Sequence, residues 1–254
     1  MSGAEKVADH PVVQAGARLG YAVSGVMHLV IGLLAVRVAF GDRSTEADQA
    51  GAFQTMAVTP LGFALLATTA AGLGLLGVWQ AAMVFVRRQT KDRVTAGAKA
   101  LGYFALTATA VGVLVGGDNS SEQSSKDATA TLLSLPWGVA LVVVVGLAIL
   151  GIGVHHVVKG ARRTFRRDLT KEPPQGIIGV GVIGYVAKGL ALGTMGGLFV
   201  QAAIAHDPRK AGGLDGALTA LLQLPQGPLV VGLVGAGFAA YAVYSFARAR
   251  WARI

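Results

Sequence analysis

Long apolar stretches alternate with short polar ones along this chain, and most of the apolar stretches reach or approach the roughly 20 residues that cross a bilayer as a helix. The pattern predicts six membrane helices, over residues 15–40, 60–86, 98–115, 136–158, 177–205 and 227–247. The fold class they predict is an all-α membrane protein.

The apolar stretches repeat. Leu19-Gly20-Tyr21 recurs as Leu101-Gly102-Tyr103 and as Ile183-Gly184-Tyr185, 82 residues apart each time, and each triplet opens a span. A polar loop follows, then a Pro-x-Gly that opens a second span: Pro60/Gly62, Pro136/Gly138 and Pro225/Gly227. Proline suits the first turn of a helix, where its missing N–H is not needed. Nineteen residues after each proline stand Trp79, His155 and Tyr244, and a basic run follows. The chain therefore divides into an N-terminal segment 1–16 and three tandem helical hairpins, 17–97, 98–178 and 179–254. Three hairpins with one orientation predict a pseudo-threefold arrangement about the membrane normal, as parallel repeats allow.

Composition strengthens the membrane reading. Of 254 residues, 53% are hydrophobic and 14% charged, against about 25% charged in soluble domains. Glycine is frequent, at 36 residues, and in membrane helices it lets backbones approach closely. Cysteine is absent, which removes disulfides, thiolate metal sites and cysteine nucleophiles. The N-terminal stretch mixes Glu5, Lys6 and Asp9, and the apolar run after it is too long for a signal-peptide core, so it reads as structure.

The net charge of +9 matters through its placement. Sixteen of the 22 basic residues flank one end of the spans, among them Arg87, Arg88, Arg162, Arg163, Arg166 and Arg167. Lys and Arg enrichment marks the cytoplasmic side, which predicts a multi-pass protein of the bacterial inner membrane with both termini cytoplasmic. Those six arginines are expected to contact anionic lipid headgroups. They are not interleaved with several aromatics, so nucleic acid is not expected as a partner. Trp79, His155 and Tyr244 are expected to form a belt at the inner interface. The three opposite loops carry Asp48, Asp127 and Asp215, each upstream of a mildly amphipathic stretch. Short helices on the outer surface, begun by those acids, and ordinary loops with tucked-in apolar residues are equally compatible with that pattern.

Taken together, the Ala17-Arg18-x-Gly20-Tyr21 opening, the Pro-x-Gly helix starts and the aromatic or His closing position resemble the bacterial membrane family called domain of unknown function 1206. The resemblance covers nearly the whole chain. It implies six membrane helices in three repeats, and no activity, cofactor or catalytic residue. Copies two and three depart from the opening, with Lys99 one place off Arg18 and Val182 in its stead.

Catalytic signatures are missing: there is no Gly-x-Ser-x-Gly elbow, no phosphate-binding glycine loop and no His-Glu-x-x-His. No acid falls inside the predicted spans. His28 lies near mid-membrane and His155 and His156 near one face, so no bis-His haem pair forms, and no cofactor or metal is expected. Two ionisable residues fall well inside the spans, away from their ends, Lys188 and His28, where polar groups are costly and usually face the protein interior. Ser24 is equivalent to Lys188 in the repeat, and Gly16, Gly20, Ser24, His28 and Gly32 form a ridge of mostly small residues suited to helix packing. Lys188 either snorkels to the inner interface or points inward toward this ridge. His28 is either a neutral, hydrogen-bonded interior residue or part of a polar path. Two functions follow. One is a non-enzymatic structural or accessory membrane component that packs with lipids, with itself or with a membrane protein partner. The alternative is a small transporter or channel with a path near Lys188, His28 and Ser24.

Overall fold

Three prolines and the glycines after them set the shape of the chain. The computed structural model describes residues 11–86, 89–117, 120–170 and 173–252. They form helices α1 (Pro11–Ala39), α2 (Gln49–Ala57), α3 (Pro60–Val86), α4 (Thr90–Leu114), α5 (Ser121–Leu133), α6 (Gly138–Ala161), α7 (Gln175–Ala205), α8 (Leu214–Leu222) and α9 (Gly227–Trp251). Single 3-10 turns lie at Thr164–Asp168 and Pro208–Lys210. Helices α1, α3, α4, α6, α7 and α9 are long and apolar enough to cross a membrane. The protein is an all-α, multi-pass membrane protein of six such helices.

The Pro-x-Gly motif has a steric cause. In each repeat a short helix, α2, α5 or α8, ends immediately before the motif, and its last turn folds onto the start of the next long helix. A Cβ on Gly62 would overlap the carbonyl oxygen of Met56, one on Gly138 that of Leu132, and one on Gly227 that of Leu222. Only glycine fits beneath those carbonyls. Pro60 opens α3, whereas Pro136 and Pro225 lie in the turn just ahead of α6 and α9, closed by Gly138 N–H to Leu135 O at 2.9 Å and Gly227 N–H to Leu224 O at 2.8 Å.

The three polar loops thus carry helices, and their acids are placed differently from one another. Asp215 lies in the first turn of α8 and Asp48 immediately precedes α2. Asp127 falls within α5, whose first turn instead holds Glu122, paired with Lys126. α4 begins at Thr90, eight residues ahead of its predicted start, and takes Asp92 into its first turn. An acid there favours the helix N-terminus, and the intervening Lys, Arg and Ala residues are good helix formers.

Contacts divide the chain into two units, residues 49–121 and the remainder. In the first, α3 and α4 form a tight antiparallel pair with α2 packed on both, burying Phe53 and Met56. The Phe104 ring occupies the space left by Gly77, and Arg93 Nε donates to Val84 O at 2.8 Å.

In the second unit the interlocked pairs are α6 with α7 and α1 with α9, and α7 packs on α9. The two pairs are copies. Gly235, ten residues after Pro225, lies so close to α1 that a Cβ would stand 2.8 Å from Gly32 O and 3.0 Å from Val36 N. Gly146, ten after Pro136, would meet Gly196 O and Val200 N, both at 2.9 Å. Gly32 and Gly196 occupy the same repeat position, twelve residues beyond Gly20 and Gly184. Such backbone approach is what small residues contribute to packing in lipid. The strongest pairing thus joins the second helix of one repeat to the first helix of another. α7 and α9 are the two helices of repeat three, and Gly184 meets the Tyr241 backbone between them.

The segment after α6 folds back across the end of this unit. Phe165 and Leu169 enter an aromatic cluster with Ile178, Tyr185, Tyr241 and Tyr244. Phe165 stacks on Tyr185 with centroids 5.3 Å apart, and the Tyr244 hydroxyl donates to Phe165 O at 3.2 Å. Lys159 pairs with Asp168 at 2.7 Å, and Thr170 N–H donates to Trp251 O at 2.8 Å.

Candidate functional site

Lys188 leaves α7 toward α1 and α9. Its Nζ lies 3.0 Å from His28 Nε2 and 4.6 Å from the centroid of the Tyr241 ring. His28 Nδ1 lies 2.7 Å from the carbonyl oxygen of Ser24, one turn back on α1, and 3.4 Å from the Ser24 hydroxyl. The carbonyl can only accept, so Nδ1 carries the proton and Nε2 presents its lone pair to the lysine. Lys188 is the donor, and its remaining charge faces the π-surface of Tyr241, an arrangement that stabilises a desolvated cation. The His28 ring also packs against Tyr241 at 4.6 Å and Phe238 at 6.0 Å between centroids.

Of the predicted site residues, Lys188, His28 and Ser24 therefore come together. Lys188 does not snorkel to the perimeter. His28 and Gly32 of the small-residue ridge face partner helices, Ser24 contacts His28 one turn along its own helix, and Gly20 looks into open space.

A second cation lies on the same face of α9, two turns beyond Tyr241. Arg248 stacks over Tyr21, with its guanidinium carbon 4.2 Å from the ring centroid, and donates from Nη2 to the Tyr21 hydroxyl at 3.0 Å. The equivalent pair in the α6–α7 copy is Lys159 over Tyr185 at 5.4 Å. Arg248 and Lys159 each stand twenty-three residues after their proline, and Tyr21 and Tyr185 each follow the triplet glycine. Sequence reasoning missed this cation-over-tyrosine device, although both halves of its signal are visible once the repeats are aligned. In copy one the position after Pro60 holds Met83.

The belt residues separate. Trp79 is 60% exposed and His155 is exposed. Tyr244 is fully buried in the aromatic cluster, because its hydroxyl has the Phe165 carbonyl for a partner and no need of the membrane surface. Arg162, Arg163, Arg166 and Arg167 are all exposed around the turn that buries Phe165. Arg87 and Arg88 lie outside the described residues. Among the described residues no three His or acidic side chains gather as a metal site.

A family model described as Domain of Unknown Function (DUF1206) matches three segments of the chain in tandem, residues 19–87, 94–163 and 183–252. The chain belongs to the DUF1206 family. It is also 26% identical, over 249 residues, to an uncharacterized protein, YxxB, of Bacillus subtilis (strain 168), covering 92% of this chain and 90% of that one. No solved structure matches it.

The DUF1206 segments bear on the repeat register. The first and third begin at the triplet, at Leu19 and Ile183, whereas the second begins at residue 94, ahead of Leu101. The packing shows the same displacement. Gly153, seventeen after Pro136, lies against Gly189 and Gly193, five and nine after the triplet glycine, while Gly77, seventeen after Pro60, lies against Phe104, two after it. Only the α1–α9 and α6–α7 pairs of this DUF1206 protein are set in the same register.

Proposed function

We propose that this DUF1206 protein is a non-enzymatic structural or accessory component of the bacterial inner membrane, with both termini cytoplasmic and its three repeats arranged about a pseudo-threefold axis. The observation that carries the reading is the closed network of Ser24, His28, Lys188 and Tyr241. His28 bridges the Ser24 carbonyl and the Lys188 ammonium there, and the Tyr241 ring covers the charge, which is how a polar pin between membrane helices behaves. Lipids with anionic headgroups, a second copy or another membrane protein are the partners such a scaffold would take. The enrichment of Lys and Arg at one end of the spans supports the orientation.

A second reading, a small transporter or channel for anions, is favoured by one specific observation. Lys188 carries its ammonium inward onto an imidazole rather than onto a carboxylate. Flux in reconstituted vesicles distinguishes the two. The scaffold reading expects no anion permeation above protein-free vesicles for wild type, and a lower melting temperature for Lys188→Met. Anion permeation by wild type that Lys188→Met abolishes would overturn the scaffold in favour of transport.

A further inference from the structure

An open groove of about 460 Å³ runs along the outside of the α6–α7 pair. Its α6 wall is Val157 with Leu150, Val154 and Val158, the last three spaced four residues apart, and its α7 wall is Gly189, Leu190, Gly193 and Thr194. Leu150, Val154, Val158 and Leu190 are exposed, so the groove opens away from the packed interior. The Thr194 hydroxyl donates to Leu190 O at 3.1 Å, which leaves the lining without an unsatisfied donor. A Cβ on Gly193 would meet nothing within 4 Å, so the groove has room where that side chain is missing.

The row continues into charge. Arg162 stands one turn beyond Val158, in helical backbone conformation, and is therefore stacked on the same face of α6 where the span ends. Exposed Arg163, Arg166 and Arg167 follow within five residues. An apolar channel at hydrocarbon depth, terminated by arginines at headgroup depth, is complementary to one kind of molecule. We propose that the α6–α7 groove holds an acyl chain of an anionic glycerophospholipid, with its phosphate against Arg162 and the neighbouring arginines. Arginine suits that role because its planar fork can bind a phosphate through two parallel hydrogen bonds. The site lies on the face of α7 that meets α6, whereas Lys188 is directed to α1 and α9, so it rests on the anionic-lipid partner proposed above and not on the Lys188 network, and Lys188→Met should leave the retained lipid unchanged.

Native mass spectrometry of the full chain, delipidated in detergent and supplied with phosphatidylglycerol or phosphatidylcholine at equal concentration, tests this. Wild type is expected to retain one phosphatidylglycerol under activation that strips phosphatidylcholine. Gly193→Leu fills the groove and should lose that lipid, and Thr194→Phe at its wall serves if the first variant does not fold. Arg162→Gln should retain the two lipids alike, with an unchanged melting temperature. Equal retention of both lipids by wild type, or undiminished phosphatidylglycerol on a folded groove-filling variant, would overturn the proposal. So would efficient disulfide dimerisation of Gly193→Cys in native membranes, which would assign the groove to a second copy.

Discussion

Lys188 and His28 are 160 residues apart in the chain and 3.0 Å apart in space, with the imidazole lone pair turned to the ammonium. Neither residue has a carboxylate in the contact. The pair is held by the carbonyl of Ser24 on one side and the face of Tyr241 on the other.

Removing the two partners should therefore have unequal effects. Lys188→Met leaves a neutral imidazole short of one donor, and Met fills similar volume. His28→Leu leaves an ammonium without its acceptor at a depth where an unpaired charge costs on the order of 2.5–3.5 kcal/mol. Denaturant titration in micelles should show the larger loss for His28→Leu. The double variant should be less destabilised than the sum by about 1 kcal/mol, the scale of polar contacts between membrane helices. Additive losses would mean the two side chains do not interact.

The glycines should sort by what surrounds them. Gly138→Ala and Gly227→Ala drive a methyl into the Leu132 and Leu222 carbonyls, and Gly196→Ala sets one 2.5 Å from Leu150 N. Each should lower the melting temperature sharply or prevent folding. Gly197→Ala, with nothing within 4 Å, should be neutral or stabilising by about 0.5–1 kcal/mol from helix propensity. Equal melting temperatures for Gly196→Ala and Gly197→Ala would contradict the packing of α6 on α7.

Asp215, outside the spans, accepts the Ala47 N–H at 2.8 Å, and its burial pushes the carboxyl above the usual range. A raised carboxyl pKa means the folded state holds the proton more tightly than the unfolded chain. The associated stability is complete below the ordinary carboxylate pKa, about 3.9, and is lost as pH rises through the folded value. Asp215→Asn keeps the acceptor without the charge. Its melting temperature relative to wild type should be highest at pH 7 and should decline toward pH 4. A difference independent of pH would show that desolvation of this carboxylate has no part in stability.

Topology is testable because the chain has no cysteine. Ser44→Cys, between α1 and α2, and Lys91→Cys, in the first turn of α4, place single thiols at exposed positions near opposite ends of the spans. In intact cells an impermeant maleimide should label the first and not the second. Labelling of both would refute the orientation derived from the basic residues.

Much of the fold was legible because its causes are local and repeated. Apolar length announced six helices, and Pro-x-Gly marked three starts, since both act within a few residues of the chain. The start of α4 was not legible, because Thr90 to Lys99 is polar and helix-forming at once. Tyr244 was misplaced because its repeat equivalents, Trp79 and His155, are exposed, and nothing in the local sequence reports the Phe165 carbonyl that satisfies its hydroxyl.

What the chain alone determined is membrane insertion, the number of spans and the threefold recurrence, all of which follow from hydrophobic length and spacing. It also singled out Lys188 and His28, because ionisable groups are conspicuous in apolar helices. Tertiary structure decided which helices pair, that Lys188 turns inward onto His28 and the Tyr241 ring, and that Arg248 stacks on Tyr21. Those choices rest on where glycines let backbones touch, Gly32 against Gly235 and Gly146 against Gly196. In lipid an apolar face has no intrinsic preference between a neighbouring helix and an acyl chain, so hydrophobic pattern cannot select the partner, and close packing does.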